Sequence, residues 1–181
     1  MNTLTSIAFI SVVSCYAIAA AVVDIRLHRI PNYLTVPAAV FGLLFHTFFE
    51  GRWGILLSLA GLAVGFGLLL LPWLLGGSGM GDVKLLAALG AWLGPTHLLY
   101  VFVVSVFLAA VLALGVMVKV AATKGVSSVQ RNYLAKGRSG KQRSGPQRIL
   151  PFAVPVALGT WIVLAWLTMS QGGQVFELTL R

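Results

Sequence analysis

Two of the four acidic residues in this 181-residue chain stand where a carboxylate is costly, at the edges of apolar runs. Asp24 closes the first run and opens the stretch DIRLHRIPN, Asp24 to Asn32. Asp82 follows a cluster of glycines in GGSGMGDVKLL, residues 76 to 86, and starts the next apolar stretch. Two carboxylates brought together in a restricted cavity share one proton. The ionised member takes a proton from water while the protonated member donates to a peptide carbonyl, which is the chemistry of aspartic proteolysis. Such a dyad titrates as a unit, so the sequence does not say which residue starts as the base. Each residue also has a plain structural alternative. Asp82 can cap a helix by accepting from first-turn N–H groups, and Asp24 can mark a membrane boundary with Arg26 offsetting its charge.

Other chemistries fit less well. The glycines Gly76, Gly77, Gly79 and Gly81 suit non-helical backbone, but a phosphate-cradling loop needs Gly-Lys-Ser/Thr, and here Gly81 precedes a carboxylate that repels phosphate. His28, His46 and His97 have no metal-ligand spacing, and a single cysteine, Cys15, excludes an internal disulfide and a four-cysteine zinc site. No metal and no organic cofactor is expected.

The elements that position the two aspartates follow from composition. With 59% hydrophobic and 9% charged residues the chain has neither a soluble globular nor a disordered composition, and it reads as a polytopic, all-α membrane protein. Helices are expected at about 4–23, 33–49, 55–75, 83–93, 98–118 and 149–169, in one domain spanning 1–181. Five of these runs approach the roughly 20 residues that cross about 30 Å of hydrocarbon. The stretch Val83–Leu93, closed by Gly94-Pro95, is shorter.

Charge decides whether that short stretch crosses. Eight of the 13 Lys and Arg residues lie between Lys119 and Arg148, a segment without an acidic residue, so it is expected in the cytoplasm. If the short stretch crosses, the segments 24–32, 76–82 and 119–148 share that side, and Arg52 and Arg181 alone lie opposite, each near a glutamate, Glu50 or Glu177, that is expected to be solvated. Six crossings result, with both chain ends outside. The basic segment is expected to serve topology and attraction to the lipid bilayer's anionic headgroups, with docking of a partner as the alternative. With Tyr133 as its one stacking side chain it is no nucleic-acid site. A helix of eleven or twelve residues rises only about 18 Å, which sets Asp82 roughly 12 Å below the cytoplasmic interface. There it must face a cavity or the bundle interior.

The stretch DIRLHRIPN together with GMGDVKLLAALGAWLG, from Gly79 to Gly94, resembles the prepilin peptidases, aspartic peptidases of bacterial membranes. The resemblance places Asp24 and Asp82 at the two catalytic positions, with Pro31, Asn32, Gly79, Gly81 and Lys84 as substrate or backbone support. It implies a GxGD-type intramembrane protease in the bacterial inner membrane that cleaves a prepilin or pseudopilin leader at the cytoplasmic face. The chain begins at its first apolar run and lacks paired CxxC motifs. In this it resembles the short, peptidase-only type of tight-adherence (Flp) pilus systems, without N-methyltransferase activity. Presenilin-type proteases share Gly-x-Gly-Asp but need Pro-Ala-Leu, which Pro155-Val156-Ala157-Leu158 does not match. The competing class is a small proton-coupled transporter or channel with both aspartates as relays, for which an internal repeat or acids in more helices would be expected. In a Cys15→Ser background, Gln130→Cys should react with a membrane-impermeant thiol reagent only after permeabilisation. Ready labelling in intact cells would refute the topology.

Overall fold

The computed structural model describes residues 3–27, 29–75, 79–124 and 152–170, which form four helices. These are α1 (Thr3–Leu27), α2 (Asn32–Leu74), α3 (Met80–Lys124) and α4 (Ala153–Ser170). The first three are long and apolar enough to cross a membrane, and α4 is a shorter apolar helix. His28, Gly76, Gly77, Glu177 and the basic segment beyond Lys124 lie outside the described residues.

Two glycines divide the long helices. Gly51 (φ 63°, ψ −136°) interrupts α2 and Gly94 (φ 71°, ψ 174°) interrupts α3, both in backbone regions that side chains disfavour. Both are reversals, as the contacts require. Gly42 lies against Ala91 and Gly61 against Gly90. In a straight helix those two glycines of α2 would be about 28 Å apart, yet both meet one turn of α3. Asn32 bonds Lys84 while Gly42 meets Ala91, so the first limb of α2 (32–50) runs parallel to the first limb of α3 (80–93). Gly61 meets Gly90 and Gly65 meets Leu86, so the second limb of α2 (52–74) runs antiparallel to it. The second limb of α3 pairs antiparallel with α4, Tyr100 facing Trp166 at a 6.2 Å ring separation and Ser105 facing Gly159. Six rods result, alternating in direction.

The short first limb of α3 is the centre of the bundle. Val83, Leu85, Leu86 and Leu89 are fully buried between the limbs of α2 and the other helices, whereas Phe48, Trp53, Phe107 and Met169 are exposed. An apolar exterior of this kind suits lipid. Because the limb ends at Gly94-Pro95 inside the bundle, its last carbonyls lose their helical donors. Side chains replace them: Ser58 Oγ donates to Ala91 O at 2.6 Å, His46 Nε2 to Trp92 O at 2.8 Å, and His97 to the Leu93 carbonyl. Trp92 Nε1 donates in turn to Ala38 O at 2.7 Å, and its ring packs with Phe9 and Phe45.

Some sequence expectations are corrected. No loop separates rods at 50–54. The helix continues on both sides of Gly51, and this turns the Glu50 side chain inward, where it is 4% exposed and 3.4 Å from His46 Nδ1. The Glu50 carboxylate is therefore buried, not solvated. α1 extends to Leu27 and puts Asp24 inside its last turn, α3 extends to Lys124 and makes the start of the basic segment helical, and α4 begins at Ala153.

A Cβ on Gly61 would collide with the Gly90 carbonyl, which as backbone cannot swing aside, while a Cβ on Gly67 meets nothing. Gly61→Ala should therefore lower stability by about 1–3 kcal/mol. Gly67→Ala should be neutral or stabilising by helix propensity. Thermal unfolding of both variants in detergent checks the contrast, and equal midpoints would disprove the close approach.

Candidate active site

Rod alternation brings one end of each motif segment to the same end of the bundle. Asp24 lies in the last turn of α1, and the chain then passes Ile30 and Pro31 to the start of α2. Pro31 is the N-cap residue (φ −78°, ψ 153°), and its carbonyl accepts from Leu34 N–H at 3.2 Å and Thr35 N–H at 3.5 Å. Asn32, the first helical residue, accepts Lys84 Nζ–H at 2.8 Å. Gly81 lies against Ile30, whose backbone nitrogen would be 3.2 Å from a Cβ at that position. The Asn32–Lys84 bond and the Ile30–Gly81 contact thus latch the first motif segment onto the second.

Asp82 is the third residue of α3 and 4% exposed. Its Oδ2 accepts from Gly79 N–H at 3.4 Å while its own N–H donates to Gly79 O at 3.0 Å. The side-chain bond is one half of a capping box, in which an acidic side chain three residues on reaches back to the cap amide; the other bond is a backbone turn, since Gly79 has no side chain to accept. The structural alternative for Asp82 is therefore realised, and the same geometry holds the carboxylate in one orientation. Gly79 supplies the donor without a side chain to cover it.

Asp24 departs from its structural alternative. A boundary marker would be solvated, but this residue is 0% exposed while Arg26 beside it is exposed. Its Oδ2 accepts from Ala153 N–H at 3.1 Å, 129 positions away at the start of α4. Oδ1 is buried with no hydrogen-bond partner among the described residues. Sequence reading had no signal for the Ala153 contact. The caps on α3 had one, since Pro95 deprives Ala91 O of a donor, but which side chains replace it depends on packing. His46 and His97 prove to be scaffold donors. An apolar groove of about 280 Å³ lined by Tyr100, Val104, Ile162, Val163 and Trp166 lies in the other half of the bundle and has no part in this site.

Two buried carboxylates, each accepting from a backbone amide at a helix N-terminus, thus lie at one end of an all-helical apolar bundle consistent with a membrane protein. The sequence model of the type IV leader peptidase family matches residues 11–114, which hold both aspartates, and the chain belongs to that family. It is 32% identical over 165 residues to a prepilin leader peptidase/N-methyltransferase of Xanthomonas campestris pv. campestris, an alignment covering 86% of this chain and 48% of that protein. The chain therefore spans about half the length of that relative. No solved structure matches it significantly.

The latch can be measured apart from any activity. Lys84→Met keeps the apolar stem and removes the donor, and Asn32→Ala removes the acceptor. A double-mutant cycle on unfolding should show a coupling of about 0.5–1 kcal/mol, the range for a partly exposed hydrogen bond to a charged group. Strict additivity would mean that the contact does not hold the segments together.

Proposed function

We propose that this chain is a membrane aspartic endopeptidase that removes the leader of type IV prepilins, with Asp24 and Asp82 as its catalytic dyad. The observation that carries the reading is the burial of both carboxylates at one end of the bundle, on motif segments that Asn32 and Lys84 tie together. In the low dielectric of such a site two neighbouring carboxyls retain one proton between them. The ionised member takes a proton from water as the water oxygen bonds the scissile carbonyl carbon, and the protonated member gives its proton to the carbonyl oxygen. Reversal of these roles delivers a proton to the leaving nitrogen as the C–N bond breaks. Gly79 carries no side chain to hinder an extended substrate segment, while Gly81 lets Ile30 pack against the start of α3.

The finer reading has six crossings, the aspartates at the cytoplasmic face of the inner membrane, and prepilins of the tight-adherence (Flp) type as substrates. Six alternating rods and the distribution of Lys and Arg support it. A basic leader would then reach the dyad from the cytoplasm while the pilin's apolar segment stays in the bilayer. Methyl transfer, named for the Xanthomonas protein, remains a property of that protein.

Asp→Asn at either position keeps the size and one acceptor oxygen, so both caps survive at a cost of at most about 1 kcal/mol. It removes the capacity to share a proton. Each single variant should accumulate normally and lose leader cleavage, and the double variant should lose little more, because members of one catalytic unit are non-additive. Coexpression with candidate prepilins, scored by the mass lost with the leader, measures this. Substantial cleavage by a well-expressed single variant would return both residues to structural roles.

A further inference from the structure

Exposed apolar side chains cover much of the bundle's outer surface, and between α4 and the second limb of α3 that surface is concave. The two helices touch where Gly159 meets Ser105, so closely that a Cβ on Gly159 would collide with the Ser105 hydroxyl. Farther from the aspartates, Tyr100 and Trp166 stand on facing positions with their rings 6.2 Å apart and inclined at 68°. Between the crossing and this ring pair lies the groove of about 280 Å³, whose other lining residues are Val104, Ile162 and Val163.

Its position makes the groove a continuation of the site. α4 starts at Ala153, whose amide holds Asp24. From that start Leu158, Ile162 and Trp166 follow along one face of α4, each exposed, and lead to the groove. The contact of Ser105 with Gly159 sets Val111 about level with Ala153, and from there the exposed Val111 and Phe107 lead along α3 to Val104. Neither wall carries a Lys, Arg, Asp or Glu over that distance. At 1.5 Å per helical residue the groove lies about 14 to 20 Å along α4 from Ala153.

We propose that this groove is a docking surface for the apolar helix of the prepilin, on the mature side of the cut. The inference rests on the prepilin reading. A substrate cut at the dyad, whose apolar segment continues into the bilayer as a helix alongside α4, brings its residues roughly 9 to 13 beyond the cut to the groove. Within a bilayer apolarity alone does not draw helices together, and association depends on close van der Waals packing, which a concave track supplies to a convex helix. The apolar walls make the groove selective, because a charged substrate residue at those positions would lie against Val104, Ile162 and the two rings without a partner. The groove touches no reacting atom and acts on substrate choice.

Photocrosslinking tests the docking directly. The full chain carrying Asp82→Asn, which keeps the substrate uncut, receives p-benzoylphenylalanine in place of Ile162 and is coexpressed with a prepilin that the unaltered chain cleaves. Irradiation should give an adduct with the prepilin, mapped by mass spectrometry to roughly 9 to 13 residues beyond the cut. The same probe in place of Phe48 or Trp53, which are 82% and 76% exposed outside the groove, should give none. Adducts with a second copy of the chain, adducts with lipid alone, no adduct, or equal prepilin adducts from Phe48 and Trp53 each overturn the inference. Kinetics supply a second measurement. Val104→Trp fills the groove and should raise KM for that prepilin roughly tenfold with kcat unchanged, because it removes binding common to the ground and transition states. An unchanged KM overturns the inference while leaving the dyad in place. Cleavage by Asp82→Asn would instead refute the dyad itself, so the two failures are distinguishable.

Discussion

A helix that stops inside an apolar bundle leaves amides at one end and carbonyls at the other without water to satisfy them, and much of this bundle is arranged around one such helix, the limb 80–93. Its carbonyl end is closed by Ser58, His46 and His97, each donating to a different residue of the last turn. Its amide end is closed by Asp82, reaching back to Gly79. Both requirements arise from the same cause, since a short rod enclosed by longer ones buries its termini. The acidic residue that looks expensive in the sequence is thus one of the groups that make the short rod tolerable.

The same logic extends to Asp24. A fully buried carboxylate needs donors, and an apolar bundle offers few apart from helix N-termini, where backbone amides lack internal partners. α4 provides one such end for Asp24 and α3 provides the other for Asp82. Burial of charge and termination of helices, each unfavourable alone, become mutually satisfying when superposed. The proposed proton transfer draws on the same superposition, because backbone amides contribute to the orientation of both carboxyls.

Legibility in the sequence followed the range of the interaction. The two aspartates, the Gly94-Pro95 stop and the apolar runs are local patterns, and the rods appear close to where those patterns put them. Glu50 differs from expectation because Glu-Gly-Arg has the composition of a polar turn. In the fold a single left-handed glycine makes the reversal, and Glu50 and His46, one helical turn apart, face inward together. The Asp24–Ala153 bond, spanning 129 positions, has no local signature at either residue, and neither does the pairing of Gly61 with Gly90.

Parity explains why one end of the bundle collects both aspartates. α1 finishes at this end, the two limbs of α2 leave it and return, α3 starts there, its two limbs leave and return, and α4 starts there. Helix starts and finishes are where glycines, prolines and carboxylates are cheapest in backbone terms, because the regular hydrogen-bond ladder has already ended. A protein of alternating rods can therefore concentrate such residues at one end without disturbing its core, provided that each intervening hairpin is complete. Gly51 and Gly94 make those hairpins. Each lies at the end of the bundle opposite the aspartates and touches neither, yet removing either reversal would carry a site-forming segment to the far side. The positive-φ glycines are in this sense as much a condition of the site as the carboxylates they never meet.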